Sequence, residues 1–353
     1  MTVTESAGLA QQPDTMLTAA IVALRAPLEL RRVPRPVPGP EEVLVHIRAA
    51  GVCHTDLHLV DGVPDSPHFP LVPGHEIAGR IAAVGEDVSR RRVGESVSVY
   101  YYDGCGECGW CGEGLENLCR AAKSKWGFNV DGGFAEYVCV PARCALPIPE
   151  GLSFAEAAVL GCSGTTGVHV VEGIAGVRHG EAVVVIGAGG VGLAAVQVAC
   201  AAGATVIAVD PDADSRAAAV GVGAKDALDP GRAPAAQQLR ALMPEGCDVV
   251  VDTVGDDATP RQAIAMVRPR GRVVLVGYTE RAASIDVADI VTREVRVYGS
   301  VGATLAEARR TFELAAHGLL RPVIADTYPL ERVGEALARL RGGRVTGRLV
   351  LEP

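Results

Sequence analysis

The sequence predicts an α/β protein of two parts, a β-rich N-terminal domain followed by a doubly wound parallel-sheet domain. Three observations carry this prediction. Up to about residue 160, short alternating runs broken by turn residues recur, among them "EVLVHIRAAGV", "EIAGRIAAVG" and "ESVSVYYYDG", the pattern of half-buried strands. From about residue 180, short wholly apolar runs alternate with helical periodicity, which implies parallel strands joined by right-handed crossovers. A chain of 353 residues with 48% hydrophobic and 21% charged content is also too long for one ordinary core and suits two.

Taken in order, "MTVTESAGLAQQPDT" has neither the basic start nor the apolar stretch of an export signal. It reads as a flexible extension over residues 1–16, with Met16 an alternative start. The first strand-like run is "LTAAIVAL", and Pro34, Pro36, Pro38 and Pro40 punctuate the region after it, as edge or polyproline segments do. The second part opens on the strand "EAVVVIGAGG" and the helix "VGLAAVQVACAAGA", which Gly203 ends. The strand "TVIAVD", the helix "ADSRAAAVGVGA", the strand "CDVVVDTVG", a helix around "TPRQAIAMVRP" and the strand "GRVVLVGY" continue the alternation. A last strand-like run, "EVRVYGSVG", precedes helices beginning near Leu305 and Leu330, and "GRLVLEP" closes the chain as a strand.

A net charge of −9 argues against nucleic acid as a partner, since a general binder needs a basic face to displace counterions. No apolar run reaches the roughly 20 residues of a membrane span. Ten cysteines without an export signal point to the cytoplasm, where clustered thiols bind metal more often than they form disulfides.

In "VVVIGAGGVGLAAV", Gly187, Gly189 and Gly192 form G-x-G-x-x-G between a strand and a helix. The first glycine makes the turn, the second lets backbone approach a pyrophosphate, and the third lets helix and strand pack closely. The pyrophosphate then meets free N–H groups at the helix N-terminus. Asp210 ends the next strand, 18 residues beyond Gly192. A carboxylate there accepts hydrogen bonds from ribose hydroxyls and repels a 2′-phosphate, so NAD is favoured; Arg216, a few residues on, keeps NADP open as the alternative.

Cys105, Cys108, Cys111 and Cys119 follow C-x2-C-x2-C-x7-C, a spacing that closes a tetrahedral thiolate cage around zinc. Four thiolates saturate the metal, so such a site is structural. A redox C-x-x-C pair is the alternative, which the third and fourth thiols disfavour. A nucleic-acid zinc knuckle is discounted because the flanking "EGLENL" is acidic. Catalysis would need a different centre with an open position, and "GVCHTDLHL", "PGHEIAG" and "LGCSGTTG" supply Cys53, His54, Thr55, Asp56, His58, His75, Glu76 and Cys162. Cys139, Cys144, Cys200 and Cys247 have no such spacing and read as packing residues.

Together, "GVCHTDLH", "PGHEIAGRIAAVG", "CGECGWCGEGLENLC", "DGGFAEY", "CSGTTG", "VIGAGGVG" and "GRLVL" resemble the zinc-dependent medium-chain alcohol dehydrogenases from about residue 17 to 353. "SKWGFNVDGGFAEYV" and "YGSVG" look closest to the tetrameric prokaryotic branch. The resemblance implies a GroES-like catalytic domain over residues 17–162, with a structural-zinc lobe at about 104–120. A Rossmann domain over 163–302 follows, and 303–353 returns to the first domain. It implies two zinc ions per subunit, the catalytic one held by Cys53, His75 and Cys162 and the structural one by Cys105, Cys108, Cys111 and Cys119. Glu76 is then a carboxylate near the catalytic metal, and Asp56 orients a ligating histidine.

By the same resemblance, Thr55 and His58 relay the proton of an alcohol to water. His54, Thr166, Gly187, Gly189, Gly190, Val191, Gly192, Asp210, Val276 and Arg348 contact NAD, while Trp126 and Phe128 wall the substrate pocket, with plain core as the other reading for these two rings. The implied reaction is reversible hydride transfer between a primary or secondary alcohol and NAD+, giving an aldehyde or ketone, in a homo-oligomer and as a tetramer more than a dimer. Two other readings stand beside it. A reductase of activated C=C bonds on the same fold generally lacks the metal ligands or the Thr–His pair, and a non-catalytic cofactor-binding protein would have lost these groups.

Overall fold

The strand Glu42–Val52 organises the N-terminal domain, because it is long enough to pair with three partners. Its sheet has the order Ile324–Pro329, Arg348–Glu352, Glu42–Val52, Glu76–Val84, Ser96–Val99 and Ala145–Pro147, with Tyr137–Pro141 also paired to Glu42–Val52. The computed structural model describes residues 14–62, 68–343 and 345–353. The C-terminal strand runs antiparallel to Glu42–Val52, Leu349 opposite Val52 and Val350 opposite Gly51. The end of the chain thereby completes the first sheet.

The second sheet is wholly parallel, in the order Asp226–Leu228, Thr205–Val209, Ala182–Ile186, Cys247–Asp252, Val267–Leu275 and Arg296–Gly299. This is a doubly wound Rossmann arrangement behind a GroES-like β domain. Val183 and Val185 pack into the large core shared with the first domain, whereas Val184 and Ile186 pack into a second cluster on the opposite face. Burial on both faces is why these strands read as unbroken apolar runs.

Between the sheets runs a helical rod from Phe154 to Ile174. Ser153 caps it: the Glu156 N–H donates to Ser153 Oγ at 3.2 Å and Glu156 Oε2 accepts from the Ser153 N–H at 2.8 Å. Two widened π turns, Leu160–Gly164 and His169–Ile174, interrupt the rod. Such turns leave carbonyls without their usual partners; here Thr165 Oγ1 donates to the carbonyls of Gly161 and Cys162, and Ser163 Oγ to that of Val159.

Two expectations change. Thr15 and Met16 do not belong to a loose extension. The first strand is Thr15–Ala20, in which Met16 pairs with Val33 and is buried, so ladder hydrogen bonds and apolar burial hold both residues; the extension's residues 1–13 lie outside the described residues. The parallel sheet also gains the strand Asp226–Leu228 and the helix Ala235–Leu242, too short and mixed in composition to stand out as a period.

Candidate active site

Local folding brings Cys53 and His75 together. Cys53 follows the strand Glu42–Val52 directly and caps the helix His54–Asp61. Asp56, wholly buried, accepts the Cys53 N–H at 2.8 Å with one oxygen and the Gly74 N–H at 3.2 Å with the other. The second oxygen also lies 3.6 Å from His75 Nδ1. One carboxylate thus fixes the backbone at both places where these side chains leave their elements. Cys162 arrives from the first π turn of the rod.

Ligand atoms of Cys53, His75, Glu76 and Cys162 all lie within 4.8 Å of one another, and all four residues are buried. The neighbouring Cys162 holds the Cys53 thiol well below its ordinary range, against the burial that raises it, while the proximity of Cys53 and burial drive Cys162 up. His75 Nδ1 finds no hydrogen-bond partner among the described residues. Two buried thiols beside an imidazole whose Nδ1 lacks a hydrogen-bond partner are a donor set that fits zinc. Burial pushes the Glu76 carboxyl up to about 8, with the nearby Arg348 pulling the other way.

The second thiol cluster fits zinc by its dimensions. Cys105 and Cys111 sulfurs are 3.9 Å apart, Cys108 and Cys119 sulfurs 3.8 Å, and the four lie within 4.8 Å of one another. A tetrahedron with metal–sulfur bonds of about 2.3 Å has edges of about 3.8 Å, whereas a disulfide needs about 2.05 Å. N–H groups of Glu107 and Cys108 point at Cys105 Sγ and bring its thiol down to about 6. The lobe is tied to the far domain: Asn117 Nδ2 donates to the Val301 carbonyl at 2.9 Å, and Glu116 accepts from the Leu305 N–H.

At the glycine loop, Gly187 has φ +86°, and a Cβ on Gly192 would sit 1.8 Å from the Gly187 carbonyl oxygen. A Cβ on Gly189 would meet nothing within 4 Å, so that backbone faces open space, as a cradle for an anion must. Arg348 stands at its edge: its guanidinium carbon is 3.0 Å from where a Cβ on Gly190 would be, and its Nε and Nη2 lack hydrogen-bond partners among the described residues. A buried guanidinium with free donors beside a helix N-terminus fits a pyrophosphate. Val191 lies in the first turn of that helix, Gly190–Ala201, and Thr166 on the rod segment packed against it. Val276 follows the strand Val267–Leu275, and its N–H donates to the Asp252 carbonyl at 2.9 Å. Asp210 accepts the Ala188 N–H at 2.7 Å and the Asp212 N–H at 2.8 Å.

Thr55 Oγ1 is 3.6 Å from Cys53 Sγ. His58 lies on the wall of a cavity of about 660 Å³ between the domains, which Arg25, Asp61, Thr279 and Arg281 also line, and its ring is 4.9 Å from that of Tyr278. His54 is exposed at the start of its helix. Phe128 reaches the metal cluster, its ring 5.0 Å from that of His75. Trp126 does not join it: the indole N–H donates to the Cys139 carbonyl at 3.1 Å, and the ring lines a separate cavity with Met16, Val33 and Tyr137. A buried indole must satisfy its N–H, and here that bond lies on the far side.

Two family models match, the alcohol dehydrogenase GroES-like domain over residues 39–150 and the zinc-binding dehydrogenase over residues 190–317. An alcohol dehydrogenase of Geobacillus stearothermophilus is 36% identical over 339 residues, 96% of this chain and 99% of the relative. The chain belongs to the zinc-binding alcohol dehydrogenases. Crystal structures agree with the dehydrogenase fold. That of an NAD-dependent alcohol dehydrogenase superposes with a TM-score of 0.90 at 30% identity, covering 96% of this chain and 99% of the other. A putative zinc-binding dehydrogenase of Sinorhizobium meliloti 1021 bound to NADP gives 0.89 at 31%, covering 97% and 100%.

Sequence reasoning missed three residues that touch the candidate site's side chains. Tyr101 stands edge-on to His75 at 5.0 Å, Tyr278 faces His58, and Lys125 lies over the Phe128 ring. "VYYYDG", a run of three tyrosines in an aromatic-poor chain, was the signal available for the first.

Proposed function

We propose that the dehydrogenase is NAD-linked and zinc-dependent, with two zinc ions per subunit, and transfers hydride reversibly between an alcohol and NAD+ to give an aldehyde or ketone. The observation that carries this reading is the convergence of Cys53, His75 and Cys162 in one buried cluster while the glycine loop presents an open anion cradle. Cys53, His75 and Cys162 would hold the catalytic ion, and Cys105, Cys108, Cys111 and Cys119 the structural one. Bound at the first site, zinc supplies a Lewis acid that polarises the substrate oxygen.

The chain's own groups do the rest. Thr55 Oγ1 takes the alcohol proton, since a hydroxyl both accepts and donates, and His58 delivers it to water from the cavity wall. Asp56 holds the two ligand-bearing segments in register. Asp210 supports NAD over NADP, because its charge opposes a 2′-phosphate. Arg216, the group that would favour NADP, is already engaged: it donates to the carbonyls of Asp210 and Pro211 and lies 3.3 Å from Asp229. The binding pocket for cofactor belongs to residues 163–302, and residues 303–353 serve the first domain, as the pairing of Leu349 with Val52 supports. We assign the enzyme to the cytoplasm and to a homo-oligomer, a tetramer, assembled through the exposed edge strand Arg296–Gly299 and Val287 and Val291 beside it.

The test is NADH formation over primary, secondary and benzylic alcohols, with metal content measured before and after chelation. Turnover that is lost on chelation and restored by zinc is expected; full turnover in metal-free protein would refute the assignment.

A further inference from the structure

We propose that Lys125 reads an anionic group on the substrate, so that the alcohol or carbonyl compound this enzyme prefers carries a carboxylate a few carbons from the reacting carbon. The inference rests on the dehydrogenase reading above and names its substrate class.

Lys125 lies directly opposite Tyr102 in the two-stranded ladder of Tyr102–Asp103 with Ser124–Lys125. Its ammonium sits 3.8 Å from the centre of the Phe128 ring and 4.9 Å from that of Tyr102. Both rings lead to the metal cluster. Phe128 is 5.0 Å from the His75 ring, and Tyr102 is 4.5 Å from Tyr101, which is itself 5.0 Å from His75. The charge is therefore one ring removed from the proposed site of chemistry.

No carboxylate among the described residues pairs with it, although arginine–carboxylate pairs are frequent elsewhere in the chain. Only three of the 33 cationic residues are lysines, so a lysine on this wall departs from the chain's habit of using arginine. Burial lowers its pKa to about 8, as expected of an ammonium held over rings without an anion beside it. Ring faces offer a cation about 0.5–2 kcal/mol, less than a carboxylate does. A flexible ω-hydroxy acid would lay its methylenes along Phe128 and Tyr101 and bring its carboxylate to Nζ.

The experiment compares 4-hydroxybutanoate, 5-hydroxypentanoate and 6-hydroxyhexanoate with 1-butanol, 1-pentanol and 1-hexanol in the zinc-loaded enzyme with NAD, for the wild type, Lys125→Met and Lys125→Arg. For the best-fitting length, the wild type should favour the hydroxy acid in kcat/KM by about 10- to 100-fold, the range of a charge-assisted hydrogen bond. That ratio should fall at least about tenfold in Lys125→Met, through KM, and persist in Lys125→Arg. Calorimetric titration of the same hydroxy acids into zinc-loaded protein without NAD should show the same loss of affinity. A wild-type ratio near one at every length, or ratios and affinities that Lys125→Met leaves unchanged, would overturn the proposal. If neither compound class yields NADH, the dehydrogenase reading fails, and the calorimetric comparison still decides the role of Lys125.

Discussion

Arg348 Nη2 lies 2.9 Å from Glu76 Oε1, and both side chains are buried. Their polar atoms are close without being aligned as a hydrogen bond, so the contact is one of charge, with guanidinium donors left over for the glycine loop. One residue near the chain's end therefore meets Glu76 in the thiol–imidazole cluster and stands at the edge of the glycine loop. Arg348→Met should raise KM for NAD about tenfold or more, while Glu76, whose carboxyl burial already pushes up to about 8, takes up a proton instead of being left as a buried charge. Steady-state kinetics checks this, and an unchanged KM for NAD would remove Arg348 from the cofactor site.

Cys53→Ser and His75→Ala should each lower kcat by about a thousandfold or more, as expected when the main electrostatic aid to the reaction goes, while zinc content falls from two ions to one per subunit. Cys119→Ser should also lose one ion, but its first effect should be a lower melting temperature. Elemental analysis alongside activity separates the two sites, and unchanged metal content in all three variants would contradict both.

Asp210→Asn removes a charge while keeping an acceptor for the Ala188 N–H. The ratio of kcat/KM for NADP to that for NAD should rise about tenfold. An unaltered ratio would remove Asp210 from cofactor selection.

His58→Gln keeps a polar group on the cavity wall but takes away a ring that can both accept and donate a proton. Alcohol oxidation should slow by about 10- to 100-fold and change its dependence on pH, with zinc content intact. A pH–rate profile identical to the wild type would remove His58 from the proton path.

Away from the site, Glu307 caps the helix Leu305–Ala316 and lies 2.9 Å from His169 Nδ1. Burial raises its carboxyl, but His169 and the Thr304 N–H outweigh this and hold it below the ordinary carboxylate value. A lowered acid binds fewer protons folded than unfolded, so its contribution is present above the unfolded value near 4.5 and fades as pH falls through the folded one. Glu307→Gln should lower the melting temperature at pH 7 and flatten its fall below about pH 5, which calorimetry across pH 3–7 would show.

Chemistry-bearing residues were legible where spacing along the chain is itself the geometry. Four thiols within fifteen residues can reach one ion with little help, and G-x-G-x-x-G states its own turn. The Cys53–Asp56 cap is equally local. Of the two readings for Trp126, pocket wall or plain core, the sequence does not choose, because a ring's neighbours depend on which way the backbone faces, and the same holds for its neighbour Lys125. A lone lysine carries no period and no motif.

Read alone, then, the sequence carries the two-domain α/β class, the thiol cluster and the glycine loop, since each rests on periodicity or on contacts between residues near in the chain. The meeting of Cys162 with Cys53 and His75, the delivery of Arg348 to Glu76, and the aromatic wall beneath Lys125 were decided only by tertiary structure. Those contacts join segments far apart in the chain, and burial between packed sheets, rather than any local preference, sets their distances.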